Sequence, residues 1–124
     1  MRLAAITHYI GKYAHHRWHC RDYLGENIDP TGATAISFTV KAADTDVDGS
    51  ILFEKTLADD VAIVEVDDVF YIDVEIDKAG DDTNLLTTGD KVFDLQIVTT
   101  SGQVVVIEKD VFTLAYPVKR ATPA

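Results

Sequence analysis

Cysteine is almost missing from this chain: Cys20 stands alone among 124 residues. A single thiol forms no internal disulfide, so no covalent framework is expected, and the usage fits a chain that folds in a reducing cytosol. Proline occurs only at Pro30, Pro117 and Pro123, which leaves long stretches able to donate every backbone hydrogen bond. The seven glycines are scattered, and no glycine-rich phosphate loop can be read among them. No apolar run approaches the roughly 20 residues a membrane-spanning helix needs. Thr7, His8 and Lys12 interrupt the start, where a secretory signal would need a continuous apolar stretch. Basic residues are also few, 11 against 21 acidic ones, for a net charge of −10. A field of that sign repels phosphate, so neither nucleic acid nor a membrane surface is expected as a partner.

What is present is stiff and β-branched. Valine and isoleucine number 24 against 8 leucines, with 13 threonines, and such side chains fit a pleated surface better than a crowded helix. From Asp90 the residues Phe93, Leu95 and Ile97 alternate with more polar neighbours, Ser101-Gly102 punctuates, and two further runs follow, Val104 to Ile107 and Val111 to Tyr116. Period-two alternation broken at glycine predicts antiparallel strands joined by a hairpin. Earlier strands are expected at Trp18–Leu24, 34–41 (Ile36, Phe38 and Val40 on one face), 51–56, 61–66 and 69–76, with turns at Asp29-Pro30-Thr31-Gly32 and Asp67-Asp68. Lys78 to Thr88 reads as a loop with one helical turn at Thr83–Leu86, whose paired leucines plug the end of the core. The expected fold class is all-β: an immunoglobulin-like antiparallel β-sandwich of seven or eight strands with an extended N-terminal arm. The domain reading is an arm over 1–16, a sandwich over 17–120 and a frayed tail over 121–124.

Charge is unevenly placed. Residues 1–24 carry +3, whereas residues 25–116 carry −15. The basic segment also holds Tyr9, Tyr13, Trp18 and Tyr23, four of the eleven aromatic residues. Aromatics and arginine are enriched where subunits meet, so Tyr9, Tyr13, Arg17, Trp18 and Arg21 are the candidate interface, with Trp18 also the simplest core residue of the first strand.

Two clusters suggest metal chemistry. Asp44-Thr45-Asp46-Val47-Asp48-Gly49-Ser50 places hard oxygens at alternate positions of a loop folded at glycine, making Asp44, Asp46, Asp48 and Ser50 candidate calcium ligands. Lys55 stands where the bidentate glutamate of such a loop belongs, Glu54 falls one residue early, and an acidic inter-strand turn explains the same residues. All four histidines, His8, His15, His16 and His19, precede or adjoin Cys20. On a strand His15 and His19 share one face while His16 and Cys20 share the other, so only two zinc donors converge locally. Serines 37, 50 and 101 lack a nucleophile-elbow setting. The acid pairs Asp59/Asp60, Asp67/Asp68 and Asp81/Asp82 read as surface punctuation rather than a glycosidase couple.

The run from Asp29 through Thr31, Gly32, Ala33, Ile36, Phe38 and Val40 to Lys41 resembles a strand of small tailed-phage virion proteins, themselves similar to the immunoglobulin-like N-terminal domains of baseplate upper proteins. Asp82-Thr83, Leu86, Gly89 and Asp94-Leu95-Gln96 resemble a second segment of that family, with Lys91 and Phe93 where tyrosines are usual. Gly102 to Val106 and Phe112-Thr113-Leu114 resemble its closing hairpin, with Asp110 in place of glycine. The likeness covers residues 17–120; Met1–His16 has no counterpart. It implies a non-enzymatic structural subunit of a virion, in tail, baseplate, fibre anchor or head decoration. Such a subunit is made in the host cytoplasm and partnered by other virion proteins and copies of itself. The alternative from a different class is a carbohydrate- or calcium-binding recognition module on the same sandwich.

Overall fold

In a computed structural model the chain is all-β, described here over residues 5–22, 24–43 and 51–116. Eight strands follow in order: β1 (Ile6–Tyr9), β2 (Ala14–His19), β3 (Ala35–Lys41), β4 (Ile51–Leu57), β5 (Asp60–Val66), β6 (Val69–Ile76), β7 (Gly89–Val98) and β8 (Val104–Ala115). They form one sheet in the order β1-β8-β7-β3-β4-β5-β6-β2. Its two edges, β1 and β2, are joined by only four residues. Five steps of chain at about 3.6 Å reach no further than about 18 Å, so the sheet curls until its edges nearly meet, close to a barrel.

The wall is sandwich-like because one seam is thin. β4 and β5 run parallel and share only the pairs Thr56↔Asp60 and Leu57↔Val61. Between them the chain coils through Ala58 and Asp60, both at φ +71, a left-handed conformation that side chains other than glycine adopt at a cost. Five strands lie on one side of this corner and three on the other. Across the interior, Trp18 of β2 lies against Phe38 of β3 and Phe93 of β7, with ring centroids 5.5 and 5.8 Å apart. Around it close Ile36, Val40, Leu95, Ile97, Phe112, Leu114, Ile72, Val74 and Ile76, all essentially buried.

Four expectations are corrected in detail. The runs Val104–Ile107 and Val111–Tyr116, all but Tyr116 itself, belong to one strand, β8, because a bulge opposite Leu95/Gln96 lets Val105 and Ile107 face inward before it and Phe112 and Leu114 after it. The strand expected at Trp18–Leu24 ends at His19, where the Asp22 carboxylate accepts from the backbone N–H of Leu24 and Glu26 and turns the chain at Gly25, φ +86. The division at residue 16 is not a boundary of the sheet. Ile6–Tyr9 pairs in parallel with Phe112–Ala115, and Ala14–His19 pairs antiparallel with β6, because Ile6 and His8 point inward and fill the space beside Phe112. The loop after Ile76 does cover the end of the core, but through Leu86 alone; Leu85 is 90% exposed.

Candidate functional site

The densest chemistry lies inside the fold, at the corner where β1, β4, β5 and the end of β6 meet. Asp77 follows the last inward isoleucine of β6 and turns left-handed, φ +58, which sends its carboxylate under the sheet. There Oδ2 receives His8 Nε2 at 2.7 Å and the Thr83 hydroxyl at 2.5 Å. Oδ1 accepts the backbone N–H of Asp82 at 2.8 Å and of Thr83 at 3.0 Å. Thr83 Oγ1 in turn accepts the N–H of Gly11 at 2.8 Å, which fixes the β1–β2 link at φ +76. His8, Asp77 and Thr83 are each no more than 2% exposed. Burial pushes the Asp77 carboxyl up, yet the bonds from Thr83, His8 and two backbone N–H groups outweigh it and hold the group below its ordinary value. The geometry is that of a tie rather than a catalytic triad: the threonine hydroxyl bonds to the acid, not to the imidazole.

A second carboxylate hangs from the first. Asp82 Oδ2 accepts the Asp77 N–H at 2.6 Å, while Asp82 Oδ1 meets Lys55 Nζ at 2.7 Å. Lys55 also reaches Asp60 Oδ2 at 2.9 Å, across the thin β4–β5 seam. Its place on the inner face follows from register, since it stands opposite the fully buried Phe38. Burial works against the ammonium, but the hydrogen bonds it donates to the Asp82 and Asp60 carboxylates prevail and raise the Lys55 pKa.

On the outer face of β2 and β6 the basic segment meets its own acidic body. Arg17 makes a bidentate pair with Asp73 at 2.7 and 2.9 Å and lies over the Tyr71 ring. His15 Nε2 adds a contact to Asp73 at 3.0 Å, and Tyr13 donates to Glu75 at 2.7 Å. The Arg17 bonds hold Asp73 below its usual range, and the Tyr13 hydroxyl does the same for Glu75. A groove of about 480 Å³ beside this ladder is lined by His15, Asp60, Asp73, Glu75 and Lys78.

Of the five candidate interface residues, Trp18 is a core side chain, and Arg17 and Tyr13 are paired within the chain. Tyr9 is 42% exposed, and Arg21 is exposed beside its backbone bridge to Asn27. The histidines do not converge: His8 is inside, His15 and His19 face outward to Asp73 and Asn27, and His16 lies against Trp18. Cys20 is fully buried, and burial pushes its thiol up to about 11. Among the described residues no three His, Cys, Asp or Glu side chains group as metal ligands. The calcium candidates Asp44, Asp46, Asp48 and Ser50 lie outside the described residues.

Sequence reasoning did not bring Lys55, Asp77, Thr83 and His8 together as a buried corner. A signal was there: Lys55 shares the parity of Phe53, and His8 that of Ile6 and Ile10, so each charged or polar residue occupies an inward position of an alternating strand. Against known proteins, the chain matches no family model, no curated sequence and no solved structure.

Proposed function

We infer that this chain is a non-enzymatic structural subunit of a tailed-phage particle, in the tail, baseplate, fibre anchor or head decoration, and that it acts by assembly with other virion proteins. The observation that carries this reading is the apolar outer side of β8. Val104, Val106 and Val111 are 59%, 45% and 38% exposed on one strand, followed by Tyr116 at 59%. Beside the first two runs a groove of about 570 Å³, lined by Asp22, Gln103 and Val104 to Val106. Valines left half in water along one strand gain about 1 kcal/mol each if a neighbour buries the rest, and such patches mark places where proteins meet. The residue-level resemblance of 29–41 and 82–96 to virion proteins points the same way.

The arm first expected to dock is part of the sheet, so the test moves to β8. The double variant Val104→Lys, Val106→Lys places charge on an exposed face and should change unfolding stability by no more than about 0.5 kcal/mol. Incorporation into particles is expected to fall sharply. Normal incorporation of the folded variant would remove β8 as the docking strand. For the recognition-module alternative, melting with calcium and with chelator is the discriminating comparison. A site filled at a hundredfold over its dissociation constant adds about 2.7 kcal/mol, and the assembly reading expects no shift.

A further inference from the structure

We propose that Lys55 and Asp82 become joined covalently, by an amide bond between Nζ and Cγ, with Asp60 carrying the protons. The inference is independent of the virion reading. It starts from three side chains already in reacting contact: Lys55 Nζ is 2.7 Å from Asp82 Oδ1 and 2.9 Å from Asp60 Oδ2. All three lie largely out of water, with side chains 10%, 11% and 22% exposed.

In water an amine and a carboxylate do not condense, because the amine is protonated, the carboxylate is a poor electrophile, and water competes. Each obstacle is reduced here. Proton transfer from the ammonium to a carboxylate runs uphill, because Asp82 and Asp60 raise the Lys55 pKa, but burial opposes both charges of the pair and lessens the cost of the neutral amine and neutral acid. Phe38, opposite Lys55 in the ladder, supplies an apolar wall. Proximity is complete, since groups held in contact act as though at effective concentrations of about 10⁵–10⁸ M. The electrophile is also polarised. Asp82 Oδ2 takes the Asp77 N–H at 2.6 Å, and Asp77 is itself pinned by Thr83 and His8. That fixed donor faces the oxygen that bears charge in a tetrahedral intermediate, while the oxygen facing Lys55 is the one to leave.

The balance closes without a further reactant. Asp60 takes a proton from the Lys55 ammonium and passes it to Asp82 Oδ1. The neutral amine forms the Nζ–Cγ bond, with the negative charge on Oδ2. Asp60 then removes a second proton from nitrogen and gives it to the departing Oδ1. The Cγ–Oδ1 bond breaks, one water leaves, and Asp60 ends as it began. Asp60 is a catalytic residue in the strict sense, since it touches the reacting nitrogen. The bond ties β4 to the β6–β7 connection beside the seam, where the sheet has only two ladder pairs.

The test is intact mass spectrometry of the full folded chain after prolonged incubation, followed by digestion. The expected chain is lighter than its sequence by one water, and a digest contains a branched peptide joining Lys55 to Asp82. Asp82→Asn should lose one ammonia instead and arrive at the same final mass. Asp60→Asn, folded by circular dichroism, should slow the loss by about 10²–10⁴, the usual range for a general acid–base group. Lys55→Arg should keep the full sequence mass. A folded, incubated wild-type chain at full mass overturns the proposal. So does a water loss located elsewhere, such as a succinimide at Asp48-Gly49.

Discussion

At the scale of single residues, position decides more than residue type. His16 and His15 are adjacent, yet His15 faces Asp73 while the His16 Nε2 is buried without a hydrogen-bond partner. Burial, then the neighbouring His8 and His15, lower the His16 pKa. An imidazole held neutral in the folded chain binds fewer protons than it does unfolded. Its contribution is therefore complete above the unfolded value near 6.5 and diminishes as pH falls below that value. Thermal melting should decline from pH 7.5 to pH 5.5, by at most about 1.4 kcal/mol per pH unit for one proton, and His16→Gln should flatten that slope. An unchanged slope in the variant would assign the effect elsewhere. Trp18 was legible as core from the sequence because a large aromatic on an alternating strand has few other places to go. Lys55 and His8 were not. Pattern reading treats charge and imidazole as solvent-facing, and only partners brought from elsewhere in the fold, Asp82 and Asp60 for Lys55 and Asp77 for His8 Nε2, offset the burial of such groups.

At the scale of elements, the alternating strands β3, β6 and β7 were readable because one face of each is apolar at every second residue. The single strand β8 was not, since Glu108-Lys109-Asp110 looks like a break and the bulge that absorbs it is a property of the pairing with β7. The Asp67-Asp68 turn was expected, and both residues have positive φ, +53 and +68, as a two-residue hairpin requires. Only the second position of such a turn is ordinarily glycine, so Asp68→Gly should raise stability by about 1 kcal/mol in urea unfolding; a loss would mean the aspartate side chain contributes more than its strain costs. β1 is the element whose place was not legible: residues 3–10 read as an extended, strand-like arm, and only the pairing with β8 makes the strand part of the sheet. Removing residues 1–10 takes away Ile6 and His8 and leaves the buried Asp77 carboxylate short of a donor. We expect at least about 3 kcal/mol of lost stability. A truncated chain that melts like the whole one would restore the arm.

At the scale of the molecule, two features dominate. The sheet curls until its unpaired edges β1 and β2 nearly meet, with a thin seam between β4 and β5, and the buried polar corner of His8, Asp77, Thr83, Asp82, Lys55 and Asp60 ties both sides of that seam and the loop that joins the edges. Among the basic residues of the first 24, Arg17 is met within the chain by Asp73, and the body, of net charge −10, carries an apolar strip on β8. Complementary charge on a neighbour would guide such a body to its place, while buried valines would hold it there. The central claim is that this body is a particle component. Its most direct test is quantitative mass spectrometry of washed, purified particles from the producing host. We predict this chain at a fixed whole-number ratio to the other structural proteins, six or twelve copies for a baseplate or collar and hundreds for head or tube decoration. Its absence from washed particles, with the chain plentiful in the lysate, would contradict the account.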